Sequence, residues 1–328
     1  MPPHTNPHLL LVNLGTPTAA TPAAVREFLA EFLSDRSVVD YPSWIWQPIL
    51  RTFILRSRPI AVAELYASIW TPEGSPLRVA TERIATDVRA RGRARGNERF
   101  TVSTAYRYGE PSIDTEIIRL AREHDGPIVV SPLFPQRTDS TTGTAFRRAR
   151  EAATREGIAD RIVERLLDPA DPGYIAAMAA QWRTTLAQAS AEPEHMVISF
   201  HGIPVRYNRN ERAVYTHDCE ATTRAFLAAI DWPATPTRTT LAYQSQFGPE
   251  KWIGPSTATV LKDLPRLGIR RVAVITPGFV TDGLETIEEI GVRGRESFLA
   301  AGGTTFHRVG AVEREDAFLD ALCALATP

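Results

Sequence analysis

The chain has 328 residues, with 37 Lys plus Arg against 38 Asp plus Glu and 43% hydrophobic residues. That length suits about two domains with ordinary buried cores. A net charge near zero gives no sign of the basic face that nucleic-acid binding needs to replace counterions, so no nucleic-acid partner is expected.

Two cysteines, Cys219 and Cys323, stand far apart in no metal-type spacing, which argues against a disulfide scaffold and fits a reducing compartment. Residues Met1 to Pro7 lack the basic-then-apolar pattern of a secretory signal. No run approaches the ~18 apolar residues of a membrane span, so the cytoplasm is the expected compartment.

In chain order, His8 to Leu14 reads as the first strand. It ends Asn13-Leu14-Gly15-Thr16-Pro17, without the later glycines of a dinucleotide turn, and no glycine-rich loop ends in Lys-Ser or Lys-Thr. Nucleotide chemistry is therefore disfavoured. Thr21 to Leu33 has helical spacing. An apolar excursion, Val38 to Arg58, follows with Trp44, Trp46, Ile49, Leu50 and Phe53 beside Arg51, Arg56 and Arg58. Over Pro42 to Leu55 this reads as an apolar lip of interfacial composition, or more plainly as a helix packed in the first lobe. The run Arg89 to Arg95, broken by Gly92 and Gly96, reads as a solvated helix end and loop.

Phe100 to Tyr106, Ile128 to Phe134 and Ile162 to Leu167 read as further strands, and turn residues cluster over Asp168 to Gly173. Beyond them, Ala176 to Ala189 and Thr222 to Ile230 have helical spacing. Met196 to Phe200, Thr240 to Gln244, Val272 to Thr276 and Thr304 to Val309 form a second set of strands. Their near-continuous Val, Ile and Leu suit parallel strands covered on both faces. The expected fold is α/β, with two similar Rossmann-like lobes, each a four-stranded parallel sheet flanked by helices. The first lobe spans 1–167, rejoined by a C-terminal segment 311–328 with a helix from Asp316 to Leu325; the second spans 168–310. Ligands in such folds lie at strand C-termini.

Three strand ends of the second lobe carry chemistry. Ser199-Phe200-His201-Gly202-Ile203-Pro204 sets an imidazole just past an apolar strand. Such a histidine is commonly structural; its alternative is to accept a proton or bind a metal near neutral pH. Pro277 to Glu289 holds Asp282 and Glu285 at capping-box spacing. Yet Glu285 and Glu289 share a helix face at a like-charge cost of a few tenths of a kcal/mol, tolerable where a cation or proton is moved. Tyr243 to Pro255 is a loop stiffened by Gly-Pro pairs that displays Phe247 and Trp252, either as packing or against a flat aromatic ligand.

These three segments in this order resemble the signature segments of ferrochelatases, which add ferrous iron to a porphyrin. The resemblance runs over nearly the whole chain. It takes in Leu11-Val-Asn-Leu-Gly-Thr-Pro17, Tyr106-Arg107-Tyr108-Gly109, Pro132-Leu-Phe-Pro-Gln136 with Ser140-Thr-Thr-Gly143, and Cys219 with Thr222-Thr223. It implies a lyase that makes haem from a porphyrin and Fe2+, with no nucleotide and no resident cofactor. His201 and Glu285 would be the metal-insertion pair, with Glu289 a further metal contact. Leu14, Tyr66, Ser75, Arg107, Tyr108 and Trp252 would lie near the macrocycle, and Phe134 beside the site.

The chain departs from many relatives at Gly283, where they carry His or Cys, and at Arg293, where some extend an acidic ladder. The acidic route is thereby shortened to Glu285 and Glu289, with Glu288 on a neighbouring face. Asp139 stands where cluster-bearing relatives place a Cys, and two cysteines are too few for an iron–sulfur cluster. The alternatives are a coproporphyrin ferrochelatase, a chelatase acting on cobalt or sirohydrochlorin, and a non-catalytic tetrapyrrole carrier. The apolar segment Val38 to Leu55 favours protoporphyrin and a peripheral contact at the inner membrane surface. Oligomeric state has no signature in the sequence.

Overall fold

The computed structural model describes residues 7–95, 100–248 and 250–326. The expectations for Met1 to Asn6, the Gly96 flank of the arginine run, Pro249 and residues 327–328 lie outside the described residues. The chain divides into two compact units, one of residues 1–134, 138–167 and 322–328 and the other of 135–137 and 168–321.

The first unit contains β1 (His8–Asn13), β2 (Thr101–Tyr106), β3 (Ile128–Pro132) and β4 (Ile162–Glu164), all parallel in the order β2-β1-β3-β4. The second contains β5 (His195–His201), β6 (Thr239–Gln244), β7 (Arg271–Ile275) and β8 (Thr305–Arg308), parallel in the matching order β6-β5-β7-β8. Leu9 to Val12 and Met196 to Ile198 are fully buried, which is why these central strands read as unbroken apolar runs. Each central strand opens on a buried histidine satisfied by neighbouring groups. His8 contacts Thr101 and Ser103 hydroxyls at 2.8 Å, and burial pushes its pKa down to about 3; His195 contacts the Thr237 carbonyl and the Thr240 hydroxyl.

Several elements end differently from their expected bounds, for local reasons. β1 stops at Asn13 because the Asn13 side chain takes the Leu14 N–H and the chain turns through Gly15. Gly15 has φ +109, and a Cβ there would sit 1.8 Å from the Tyr108 carbonyl oxygen, so only glycine fits. In the second unit a helix starts at Pro172 rather than Ala176, because Asp171 caps it by accepting the N–H groups of Gly173 and Tyr174. Another starts at Val214 rather than Thr222, with Tyr215, Cys219 and Phe226 buried along one face. The C-terminal helix Asp316–Leu325 belongs to the second unit through Ala321 and to the first from Leu322. Phe318 packs against Tyr174, whereas the Cys323 thiol reaches the Val88 carbonyl, so the return to the first unit begins at Leu322 rather than at 311.

The apolar excursion is helical: Ser43–Ile49, a π-helical stretch Leu50–Ile54, then Leu55–Ile69. One side is packed, with Leu50, Leu55, Ala63 and Tyr66 buried and the Trp46 indole donating to the Leu33 carbonyl. The other leaves Trp44 79%, Phe53 68% and Ile60 56% exposed. The segment is thus a run of three helical stretches, packed on one side and carrying large exposed apolar side chains on the other.

Candidate functional site

In each sheet the strand order reverses beside its first strand, so the crevice that attracts ligands lies past the C-terminal ends of β1 and β3, and of β5 and β7. His201 is the last residue of β5. Its Nδ1 lies 2.6 Å from the Gly202 carbonyl, and a carbonyl only accepts, so Nδ1 carries the proton. The neutral ring then keeps its lone pair on Nε2, able to take a proton or meet a cation. Behind the strand end, the Tyr215 hydroxyl donates to the His201 carbonyl at 2.7 Å. Gly202 is required by crowding: a Cβ would stand 2.9 Å from the Gln244 carbonyl oxygen and 3.2 Å from the Trp252 ring.

Glu285 follows β7 in a helix, Leu284–Gly294, that is π-helical throughout. Its i→i+5 bonding widens the turn, a form found often at functional sites. Ile290 anchors it in the core with Val197, Ala242, Leu261, Val272, Val274 and Phe298. The capping-box expectation is corrected here. Gly283, not Asp282, is the N-cap, and its N–H is met by the Thr286 hydroxyl at 3.0 Å. Asp282 instead accepts from Thr286 at 2.7 Å and from Arg308 at 2.7 Å. The Glu285 carboxylate is thereby left free of the cap. Burial pushes its pKa up, its own backbone N–H and the charge of His201 pull it down, and Glu289 pushes it up. An imidazole and a half-buried carboxylate thus act on each other electrostatically at the β5/β7 switch point.

Glu289 is engaged differently: Ser245 donates to both its oxygens, from the backbone N–H at 2.8 Å and the hydroxyl at 2.5 Å. Arg293 stands off the Glu285–Glu289 row and binds both oxygens of the buried Glu288 at 2.8 and 2.9 Å. In the loop after β6, the Trp252 indole donates to the Phe247 carbonyl at 2.9 Å, and the two rings lie 5.1 Å apart. Phe247 is exposed and Trp252 half-buried.

In the first unit, Leu14 and Phe134 follow β1 and β3 and are both half-buried. Arg107 and Tyr108 converge on Asp35, a residue the sequence reading did not single out. Asp35 accepts from the Arg107 guanidinium, from the Tyr108 hydroxyl at 2.9 Å, from the Thr144 hydroxyl at 2.9 Å and from the Ser37 N–H at 2.7 Å. Burial alone would raise the Asp35 carboxyl; the Ser37 N–H, the Arg107 charge and the two hydroxyls outweigh it and hold it below the usual range. Tyr108 is fully buried. Ser75 is buried and accepts from the Thr16 hydroxyl at 2.9 Å, and buried Tyr66 stacks edge-on against Trp70.

The family model described as Ferrochelatase matches residues 8–328. A ferrochelatase of Edwardsiella ictaluri (strain 93-146) is 41% identical over 331 residues, covering 98% of this chain and 98% of that protein. The chain belongs to the ferrochelatase family. Among solved structures, SirB from Bacillus subtilis with Fe3+ is similar with a TM-score of 0.54 at 9% identity, over 97% of this chain and 93% of that one. A multi-domain protein from Deinococcus radiodurans with structural similarity to chelatases gives a TM-score of 0.52 at 15% identity; the match covers 98% of this chain, which spans about half (54%) of that one's length. At those identities the likeness is one of fold.

Within this ferrochelatase-family chain, His201, Glu285, Glu289 and Trp252 all lie in the second unit, and Leu14, Tyr66, Ser75, Arg107, Tyr108 and Phe134 in the first. No group of three or more His, Cys, Asp or Glu able to hold a metal ion occurs among the described residues. The sequence carries no signal for the roles of Asp35, Gln244 and Ser245, because the side-chain groups that Asp35 binds and the Glu285 and Glu289 that Gln244 and Ser245 bind are remote in the chain, and the left-handed backbone of Ser245, φ +62, is invisible in a string of letters.

Proposed function

We propose that this chain is a lyase that inserts Fe2+ into protoporphyrin IX to form protohaem, the closing step of haem synthesis. The observation that supports it most is the His201–Glu285 pair at the β5/β7 switch point in a chain of the ferrochelatase family. Insertion must strip two pyrrole protons while the cation loses its water. His201 Nε2 takes a proton from one side of the ring, and Glu285 holds the cation or a proton on the other. Two donors bind ferrous iron weakly, as suits a metal that must leave with the product. A surface complementary to a bent macrocycle, whose nitrogen lone pairs are turned outward, lowers the barrier further.

Leu14, Tyr66, Ser75, Arg107, Phe134 and Trp252 are assigned to contacts with the macrocycle. Tyr108 acts from behind, sharing Asp35 with Arg107. Glu289 serves the metal path only if it leaves Ser245. No iron–sulfur cluster is assigned, since the chain has two thiols and Asp139 is paired with Arg147. The exposed Trp44, Phe53 and Ile60 beside Arg51 and Arg56 support reversible contact with the inner face of a membrane from the cytoplasm. No helix among the described residues is long and apolar enough to cross one.

The test is metal insertion by the purified protein into protoporphyrin and coproporphyrin, with ferrous iron or zinc, followed by loss of porphyrin fluorescence. Faster turnover of coproporphyrin would replace the substrate, and tight binding without insertion of either would make the protein a carrier.

A further inference from the structure

Gln244 is the last residue of β6 and the register partner of His201. Its backbone carbonyl accepts the Gly202 N–H at 2.8 Å, so it is tied to the strand end that carries the imidazole. Its side chain faces the other way in the circuit: Nε2 donates to the Glu285 backbone carbonyl at 2.8 Å. The amide cannot swivel, because its Oε1 accepts the Ser199 hydroxyl at 2.7 Å and Ser199 lies 2.7 Å from the Thr257 hydroxyl. All three residues are buried. The next residue, Ser245, adopts a left-handed backbone that aims its N–H and its hydroxyl together at the two oxygens of Glu289. Two successive residues at one strand end therefore grip two successive turns of the Leu284–Gly294 helix.

We propose that Gln244 and Ser245 are positioning residues that set where the Glu285 carboxylate stands against the His201 imidazole. One strand end holds both members of the pair, His201 through the sheet ladder and Glu285 through a side-chain hydrogen bond. Their separation is thus fixed by a single rigid element. On the same reasoning Glu289 is an anchor for the helix, occupied by Ser245. The inference rests on the function proposed above. A reacting group displaced by about 1 Å loses on the order of 10²-fold in rate, which is the scale such a clamp controls.

Gln244→Met keeps the side-chain length and removes the donor. Gln244→Glu keeps an acceptor for Ser199 and turns a second acceptor on the Glu285 carbonyl. With protoporphyrin and zinc, kcat is expected to fall about 10- to 100-fold in the first variant and further in the second, with porphyrin KM within about threefold. In a Glu285→Gln background, Gln244→Met should add no further loss in single turnover, because the carboxylate it positions is gone. Full kcat in folded Gln244→Met, or the same fractional loss on top of Glu285→Gln, would overturn the clamp. Should neither Gln244 variant fold, Ser245→Gly decides: it relaxes the backbone and deletes the hydroxyl, and several-fold lower kcat at unchanged porphyrin KM is expected, whereas unchanged kcat overturns the proposal. Wild-type activity in Glu285→Gln itself would instead sink the underlying function.

Discussion

Glu285→Gln separates the two roles the sequence leaves open for that residue. The amide keeps the shape of the carboxylate but neither takes a proton nor holds a divalent cation as well. A capping glutamate would tolerate the change with both stability and activity nearly intact. Here the cap is supplied by others: Thr286 meets the Gly283 N–H, and Asp282 is engaged by Thr286 and Arg308. What Glu285 contributes to stability is then a matter of its charge. Burial raises its pKa, so the folded state binds a proton more tightly than the unfolded chain, and stability falls as pH rises from the ordinary carboxylate value through the raised one. Above that window the wild type carries a partly desolvated charge that the variant lacks; below it both side chains are neutral. Melting temperatures should therefore coincide near pH ~4 and favour the variant, or at least not disfavour it, near pH ~8. Turnover moves the other way, down about 10²–10⁴-fold, or roughly 3–5 kcal/mol in the barrier. Thermal melts across that pH range and zinc insertion followed by fluorescence read the two effects separately. Zinc insertion within about threefold of wild type would refute the catalytic reasoning, and a melting temperature several degrees lower at neutral pH would return Glu285 to a structural role.

His201→Ala should lower turnover about 10²–10⁴-fold while porphyrin binding, read by fluorescence quenching, persists; near-normal insertion would mean the site lies elsewhere. Asp35→Ala strands the Arg107 guanidinium and the buried Tyr108 hydroxyl, so a loss of about 3–5 kcal/mol is expected in urea unfolding. Because the folded Asp35 pKa is lowered, its contribution is present above the ordinary carboxylate value and lost as pH falls through the lowered one. An acid limb of the stability curve that is the same in Asp35→Asn as in wild type contradicts that assignment. The purified protein should show no iron–sulfur absorbance, and visible bands with matching acid-labile sulfide would overturn the two-thiol argument.

The sequence by itself determined β1, β3, β5 and β7, because central parallel strands covered on both faces leave nearly unbroken apolar runs; the less buried β2, β4, β6 and β8 were legible mainly from their place between helical segments. It also singled out His201 and Glu285, since both follow such runs and sit in segments whose residue order is family-specific. Helix starts were less legible at Pro172 and Val214, where a turn-forming Asp171 acts as a cap and where buried Tyr215 and Cys219 extend the apolar face upstream. Only the tertiary structure decided the role of Asp282, whose capping spacing is overridden by Arg308 from a strand 26 residues later. It alone decided the π form of Leu284–Gly294, because a choice between i→i+4 and i→i+5 bonding turns on packing around Ile290 and on what grips Glu285 and Glu289. Asp35 stayed hidden for the same physical reason: its side-chain partners Arg107, Tyr108 and Thr144 lie more than 70 residues away, and such a half-buried carboxylate is identified by the donors that fold around it.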